Sequence, residues 1–339
     1  MGRVVFASLV SQHENLGDYL IRHNALSVCF PHVPVVALTS GMPQPYIDAF
    51  DLPPGSLHVE SALKFQLLLI KSTLRQNADL LLAPGPIVLS GKPQRLLKAA
   101  ILTLNCALVR VSGGQVWSVG RSYRGSHRVA RLFERLQLSL ASKYYVRDGE
   151  SRSVVGGKAV VKPDMAFSGD AIEGTSARRY IVISLRSYSK STFGELQKLK
   201  VMAESYGLAV ILVTQVKFDE RVHEELAQRL GCTHVSWGGR PHDEQLIEVC
   251  KVYAQSVAVV SNRLHSLILG LRCGSMAVLC EPSNNPKLMS TLNGRASLVD
   301  LSGLVAEPSR FSQLISDSVE QPRRCWSLSR SELLKFISA

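Results

Sequence analysis

The stretch VAVVSNRLHSLILGLRCGSMAVLCE, residues 257–281, constrains the fold more than any other part of the chain. Val257–Ser261 is a short run dominated by β-branched valines, which suits a strand covered on both faces. Leu264, Leu267, Ile268 and Leu271 then recur at i, i+3, i+4 and i+7, one face of a helix. Gly274 stops that helix before Met276–Cys280 returns to strand. A strand, a helix and a strand in such short compass predict a parallel βαβ unit.

The same alternation runs through the rest of the 339 residues. Strands are predicted at Val4–Val10, Val35–Leu38, Asp79–Ala83, Ala107–Val111 and Lys143–Val146. Helices are predicted near Gly17–Phe30 and at Ala62–Gln76, Gln94–Thr103 and Ser126–Leu140. The polar segment 168–179 lacks a core pattern and reads as a linker. Beyond it the alternation restarts with strands at Tyr180–Leu185, Leu208–Thr214, Thr233–Ser236, Val257–Ser261 and Met276–Cys280. Helices at Phe193–Tyr206, Asp219–Leu230 and Asp243–Tyr253 separate them. Two α/β domains, 1–167 and 180–308, with residues 309–339 as a C-terminal helical segment, are the simplest arrangement.

Composition narrows the class. With 46% hydrophobic and 19% charged residues the chain is neither disordered nor fibrous. No apolar run reaches the 18 or so residues of a membrane span, and MGRVVFASLV leads into a strand rather than a cleavable signal. Seven cysteines are scattered without a CxxC pair, which suits reduced, buried thiols in a cytoplasmic protein and no zinc site. The formal charge of +12 is concentrated: residues 91–158 hold thirteen Lys or Arg against Glu134, Asp148 and Glu150. Such a block is either a solvated face or an attractor of polyanions. Within it Arg121–Leu136 reads as a basic amphipathic helix, compatible with peripheral association with an anionic membrane. No nucleic-acid-binding motif accompanies it, so no nucleic-acid partner is expected.

Ligands of open α/β sheets gather beyond the carboxyl ends of strands, often at helix N-termini. Arg263 and His265 occupy such a place, in the first turn of a helix and off its apolar stripe. The start of a helix is already partly positive, so a cation there is locally unfavourable. A bound phosphate or carboxylate relieves that conflict, with Arg263 as clamp and His265 as acid or second donor. A carboxylate elsewhere in the chain would serve Arg263 equally. Ser261 and Asn262 link the strand to this turn. Arg186 ends the first strand of the second domain, and Thr214 and Gln215 end the next. Asp219 reads as a helix N-cap. In the first domain His13, Asn15, Gly17 and Asp18 occupy the loop after the first strand. There Gly17 allows close approach, and Asp18 either caps the helix or accepts a proton. Arg147 is read as structural, satisfied by Asp148 or at a domain interface. GxGxxG, Walker, GxSxG, HExxH and DxD motifs are all absent, so no metal is expected.

Taken together and in order, NLGD at 15–18, YVRDGES at 145–151, KPDMAF at 162–167, ISLR at 183–186, TQVKFDE at 214–220 and SNRLHSLILG at 261–270 resemble the polysaccharide pyruvyl transferases. The resemblance covers roughly residues 4–290. APGPIVLSG stands where the family has a glycine-rich turn, and GGQVWSVGRSY loosely matches a GxG loop. The resemblance implies a GT-B-like fold of two facing Rossmann-type domains with parallel sheets, and a C-terminal helix returning to the first domain. Ser309–Ser318 and Ser329–Ile337 are the candidates for that return. It also implies phosphoenolpyruvate as donor, no cofactor, and a pyruvate ketal on a glycan as product, with a lipid-linked glycan among the acceptors expected. On this reading Arg186, Arg263 and His265 hold phosphate and carboxylate, and His265 protonates the enol methylene. Asp18 or His13 deprotonates the acceptor, while Asn15, Gly17, Thr214, Gln215, Ser261 and Asn262 line the substrate. Two other classes remain open from the residues alone. One is a metal-independent GT-B glycosyltransferase using a nucleotide sugar; the other is a non-catalytic protein binding membrane or polyanion through the basic block.

Overall fold

The computed structural model describes residues 2–173, 178–281 and 285–339. Its contacts divide the chain into two units: Met1–His13, Asp18–Met165 and Leu333–Ala339 form the first, and Glu14–Gly17 with Ala166–Glu332 the second. Four residues of the expected linker, 174–177, lie outside the described residues.

The first unit is built on eight strands: β1 (Val4–Ser8), β2 (Val35–Leu38), β3 (Leu57–Val59), β4 (Ala78–Leu82), β5 (Gly85–Val88), β6 (Val116–Arg124), β7 (Lys143–Val146) and β8 (Val160–Val161). The order is β3-β2-β1-β4-β6-β7-β8, all parallel, with β5 also on β6. Its helices are α1 (Leu16–Cys29), α2 (Gln44–Asp48), α3 (Ala62–Leu74), α4 (Pro93–Val111), α5 (Arg128–Leu140) and α6 (Gly149–Val155). Strands β3→β4, β5→β6 and β6→β7 all advance the same way across the sheet. Right-handed crossovers therefore lay α3, α4 and α5 on one face, opposite α1. Phe65, Leu69, Cys106 and Val109 from α3 and α4 close a core against Phe6, Val36, Leu80 and Val116.

Three local expectations are corrected here. The predicted strand Ala107–Val111 is the last part of α4, which runs unbroken from Pro93. With no Gly or Pro inside it, Asn105, Cys106 and Val109 bury one helical face, and that periodicity outweighs the short apolar run. GGQVWSVGRSY contains strand rather than a loop: the first half of β6 pairs with β4 and the second half with β5, so APGPIVLSG also carries a strand. The predicted basic helix Arg121–Leu136 begins only at Arg128. Arg121 lies on β6 and is fully buried. Its Nη1 donates to Glu134 Oε2 at 2.8 Å and to Gln137 Oε1 at 2.9 Å.

The second unit carries β9 (Tyr180–Ser184), β10 (Ala209–Val213), β11 (Thr233–Val235), β12 (Ser256–Ser261), β13 (Met276–Leu279) and β14 (Leu298–Asp300). They form a parallel sheet of order β11-β10-β9-β12-β13-β14. Its helices are α7 (Lys190–Ser205), α8 (Glu220–Leu230), α9 (His242–Tyr253), α10 (Leu264–Arg272), α11 (Pro286–Leu292), α12 (Leu301–Ala306) and α13 (Pro308–Asp317). A last helix, α14 (Glu320–Ser338), ends in the residues counted with the first unit. There Phe336 lies edge-on to Tyr145, with ring centroids 5.4 Å apart. Every residue of β12 is buried, as its valine-rich sequence requires. Gly274, at φ 78°, terminates α10 by taking the left-handed conformation, and the Ser275 N–H closes back on Gly270 O at 2.8 Å.

Candidate active site

In the second sheet the strand order reverses between β9 and β12, the switch point beyond whose carboxyl ends ligands of such sheets gather. Arg186 leaves β9 there, and the Asn262–His265 turn leaves β12 and opens α10. Asn262 ties the two loops together. Its Oδ1 accepts the Arg186 N–H at 2.8 Å and its Nδ2 donates to Ser187 O at 3.0 Å. The Ser261 hydroxyl donates to Ser184 O and accepts the Arg263 N–H. The N–H groups of Leu264, His265 and Ser266 have no intrahelical acceptor, as at any helix start.

Arg263 is the N-cap residue of α10, and its side chain forks onto Asp219: Nε to Oδ2 at 2.9 Å and Nη2 to Oδ1 at 2.5 Å. Asp219 stands at the N-cap position of α8, as expected, but in helical backbone (φ −90°, ψ −5°) and without a side-chain cap bond, its oxygens accepting from Arg263. Burial raises the Asp219 carboxyl, opposed by Arg263 and, more weakly, by the exposed Arg186. One guanidinium edge of Arg263 is thus held rigid by a carboxylate, with the side chain still 24% exposed. Two cations and a helix start surround that single carboxylate, so the switch point favours an anion.

His265, in the first turn of α10, sits against Gly17. A Cβ added to Gly17 would lie 2.5 Å from His265 Cγ and 2.8 Å from its Cβ. The segment carrying Gly17 is itself fastened to the end of β10. Asn15 pairs with Val216 in an antiparallel bridge, Leu16 N donates to Gln215 O at 3.0 Å, and Lys217 N donates to Glu14 O at 2.9 Å. Asn15 Oδ1 accepts the Gly17 N–H at 2.9 Å and caps α1. Asp18 therefore does not cap. It belongs to the first unit, with its Oδ1 3.8 Å from Arg22 Nη1. His13, also in the first unit, lies edge-on to Tyr46.

Thr214, Gln215 and Ser261, expected to line the substrate, are buried and spend their polar atoms on the framework instead. Gln215 bridges Ser266 Oγ and the Tyr253 hydroxyl, each at 2.9 Å. Thr214 Oγ1 lies 2.9 Å from His223 Nδ1 and 2.8 Å from His234 Nε2. His223 Nε2 lies 2.9 Å from both the N–H and the carbonyl oxygen of Leu185, so the ring is tied to the end of β9 in either tautomer. Burial, with His234 beside it, holds His223 down to about 4, and the ring is neutral. His223, Tyr253 and Ser266 are not singled out by the sequence, and Asp219 only as a helix N-cap. Asp219 and His223 are one helical turn apart, but Tyr253 and Ser266 come from α9 and α10, and no spacing in the chain joins them to that pair. Arg147 is structural, as read, but its partner is Asp164 of KPDMAF at 2.7 Å. Asp148 instead caps α6 through the Ser151 N–H. Among the described residues no group of three or more His, Cys, Asp or Glu is placed to hold a metal ion.

Two α/β units, each built on a parallel sheet, with cations at the switch point of the second, define a GT-B-like fold. Solved structures agree on the fold. The chain is similar to Anabaena HepE in complex with UDP and glucose (11% identity, all of both chains, TM-score 0.56). It is also similar to a putative UDP-N-acetylglucosamine 2-epimerase from Listeria monocytogenes (10% identity, 98% of this chain and 95% of that one, TM-score 0.52). No curated protein matches it in sequence. The family model for polysaccharide pyruvyl transferase matches residues 15–278, and the chain belongs to that family.

Proposed function

We propose that this transferase takes its pyruvyl group from phosphoenolpyruvate and sets it as a ketal on two hydroxyls of a sugar in a cell-surface polysaccharide or glycolipid precursor, releasing phosphate. The observation that carries the reading is the switch point between β9 and β12, where Arg186, Arg263 and His265 meet the start of α10. A small ester bearing both phosphate and carboxylate calls for several cations, and Arg186 and Arg263 at these two neighbouring strand ends are suited to hold it.

In the reaction, His265 gives a proton to the enol methylene, which becomes the methyl group, and positive charge develops at the ketal carbon. A sugar hydroxyl adds there and gives up its proton. The carbon–oxygen bond to phosphate then breaks, the phosphate leaving with the bond pair. A second hydroxyl closes the ketal and loses the second proton. Asp18 or His13 serves as acceptor base. Asp219 keeps the Arg263 fork oriented, and the buried Thr214–His223–His234 and Gln215–Ser266–Tyr253 bonds keep the strand ends in register. A lipid-linked acceptor would place the enzyme at the cytoplasmic face of a membrane.

Thermal unfolding with phosphoenolpyruvate, alongside UDP-, GDP- and CMP-linked sugars, tests the donor. Ligand at 100 times its Kd adds about 2.7 kcal/mol. The expected result is stabilisation by phosphoenolpyruvate that disappears in Arg186→Ala and Arg263→Ala. Stabilisation by a nucleotide sugar alone would replace this reaction with glycosyl transfer.

A further inference from the structure

The outward faces of α3, α4 and α5 expose large apolar side chains at helical spacing. Leu67 and Leu74 lie on α3, Leu104 and Val111 on α4, and Leu132 and Leu136 on α5, all 42–89% exposed. The inward faces of the same helices hold Phe65, Cys106 and Leu138, so the exposed stripes point away from the sheet. The three helices are neighbours in one layer. Within their spans lie eight Lys or Arg and a single acid, Glu134, which is buried against Arg121. Among the described residues no helix is long and apolar enough to cross a membrane.

From this juxtaposition we propose that the α3–α4–α5 face is a docking surface for an anionic lipid bilayer, its leucines entering the headgroup region and its cations pairing with lipid phosphates. Apolar stripes bordered by cations of one sign are what an interfacial helix presents to such a surface. A second copy of this chain fits less well, because a two-fold contact would set like-charged faces together. A nucleic acid would use the cations and leave the leucines without a role. The inference is independent of the donor, since vesicle binding and phosphoenolpyruvate binding are read separately.

The test is co-sedimentation of the full chain with phosphatidylcholine vesicles, with and without phosphatidylglycerol, at low and high salt. Two triple variants at exposed positions accompany the wild type: Leu67→Ser with Leu104→Ser and Leu132→Ser, and Lys71→Gln with Lys98→Gln and Arg128→Gln. Wild type is expected to pellet with the anionic vesicles only. The charge variant should bind about a hundredfold more weakly, and the leucine variant should also lose binding although its charge is intact. Unchanged thermal midpoints would show that both variants are folded. The proposal is overturned if wild type stays in solution with anionic vesicles at low salt. It is also overturned if the leucine variant binds as wild type does, which would mark a general polyanion surface. Conversion of a wild-type dimer to monomer by the leucine substitutions, with no effect on vesicles, would assign the face to a second copy.

Discussion

Replacing Gly17 with alanine opposes two effects of known sign. Gly17 lies in the first turn of α1, where alanine ordinarily stabilises a helix by about 0.5–1 kcal/mol. Here the added Cβ would stand 2.5 Å from His265 Cγ and 2.8 Å from His265 Cβ. The ring can rotate away, but His265 Cβ is fixed by α10, so the turn or the Glu14–Gly17 segment has to shift. That segment is held by backbone bonds to Gln215 and Lys217, and overpacking of this kind costs about 1–3 kcal/mol. The net expectation is destabilisation by about 1–2 kcal/mol, a fall in Tm of roughly 2–8 °C. A displacement of His265 near 1 Å should also reduce turnover by about 10²-fold. The assays are thermal unfolding and phosphate release from phosphoenolpyruvate with a glycan acceptor. Adding His265→Gly removes the clashing atoms, so the double variant should recover stability and remain inactive. A Gly17→Ala protein as stable and as active as wild type would refute the seating of His265 against this glycine.

Four further outcomes follow from the same geometry. His265→Ala should lose activity by about 10²–10⁴-fold in kcat, the range of one general acid, with little change in folding; near-normal turnover would remove it from proton transfer. Arg263→Lys should bind phosphoenolpyruvate poorly, because an ammonium cannot reproduce the fork on Asp219, and isothermal titration would read the loss. Because His223 is held down to about 4 against an ordinary 6.5, the native state takes up its proton later than the unfolded chain. The stability this contributes is complete above pH 6.5 and falls as pH drops towards 4. Urea unfolding at pH 7 and pH 4.5 should therefore show an acid loss about 2–3 kcal/mol larger in wild type than in His223→Gln. Asp164→Ala should destabilise by about 3–5 kcal/mol by leaving Arg147 buried without its carboxylate, whereas Asp164→Leu with Arg147→Met should cost less than either single change.

Hydrophobic periodicity is a local property, and what it determined was local. It placed five of the six strands of the second sheet, missing β14, and it placed the helix after Val257–Ser261 with Arg263 and His265 at its start. The ordered short motifs determined the family. Periodicity failed where a tertiary surface decided the outcome. Ala107–Val111 reads as strand in isolation, yet it continues a helix that buries Cys106 and Val109. Arg121 reads as part of a basic helix face, yet it lies on a strand and is neutralised by Glu134.

The finer structure of the site belongs to the tertiary level for the same reason. Asp219 and Arg263 are 44 residues apart and meet only because the strand order brings the ends of β10, β9 and β12 side by side. Thr214, Gln215 and Ser261 sit at strand ends, as the sequence indicated, but whether they meet a ligand or the framework depends on what packs beneath them. Exposure of Leu67, Leu104 and Leu132 is likewise invisible in the chain, where they resemble any core leucine. A sequence specifies which residues share a face of a helix or strand; which face is covered, and by whose side chains, is decided by long-range strand order and helix placement.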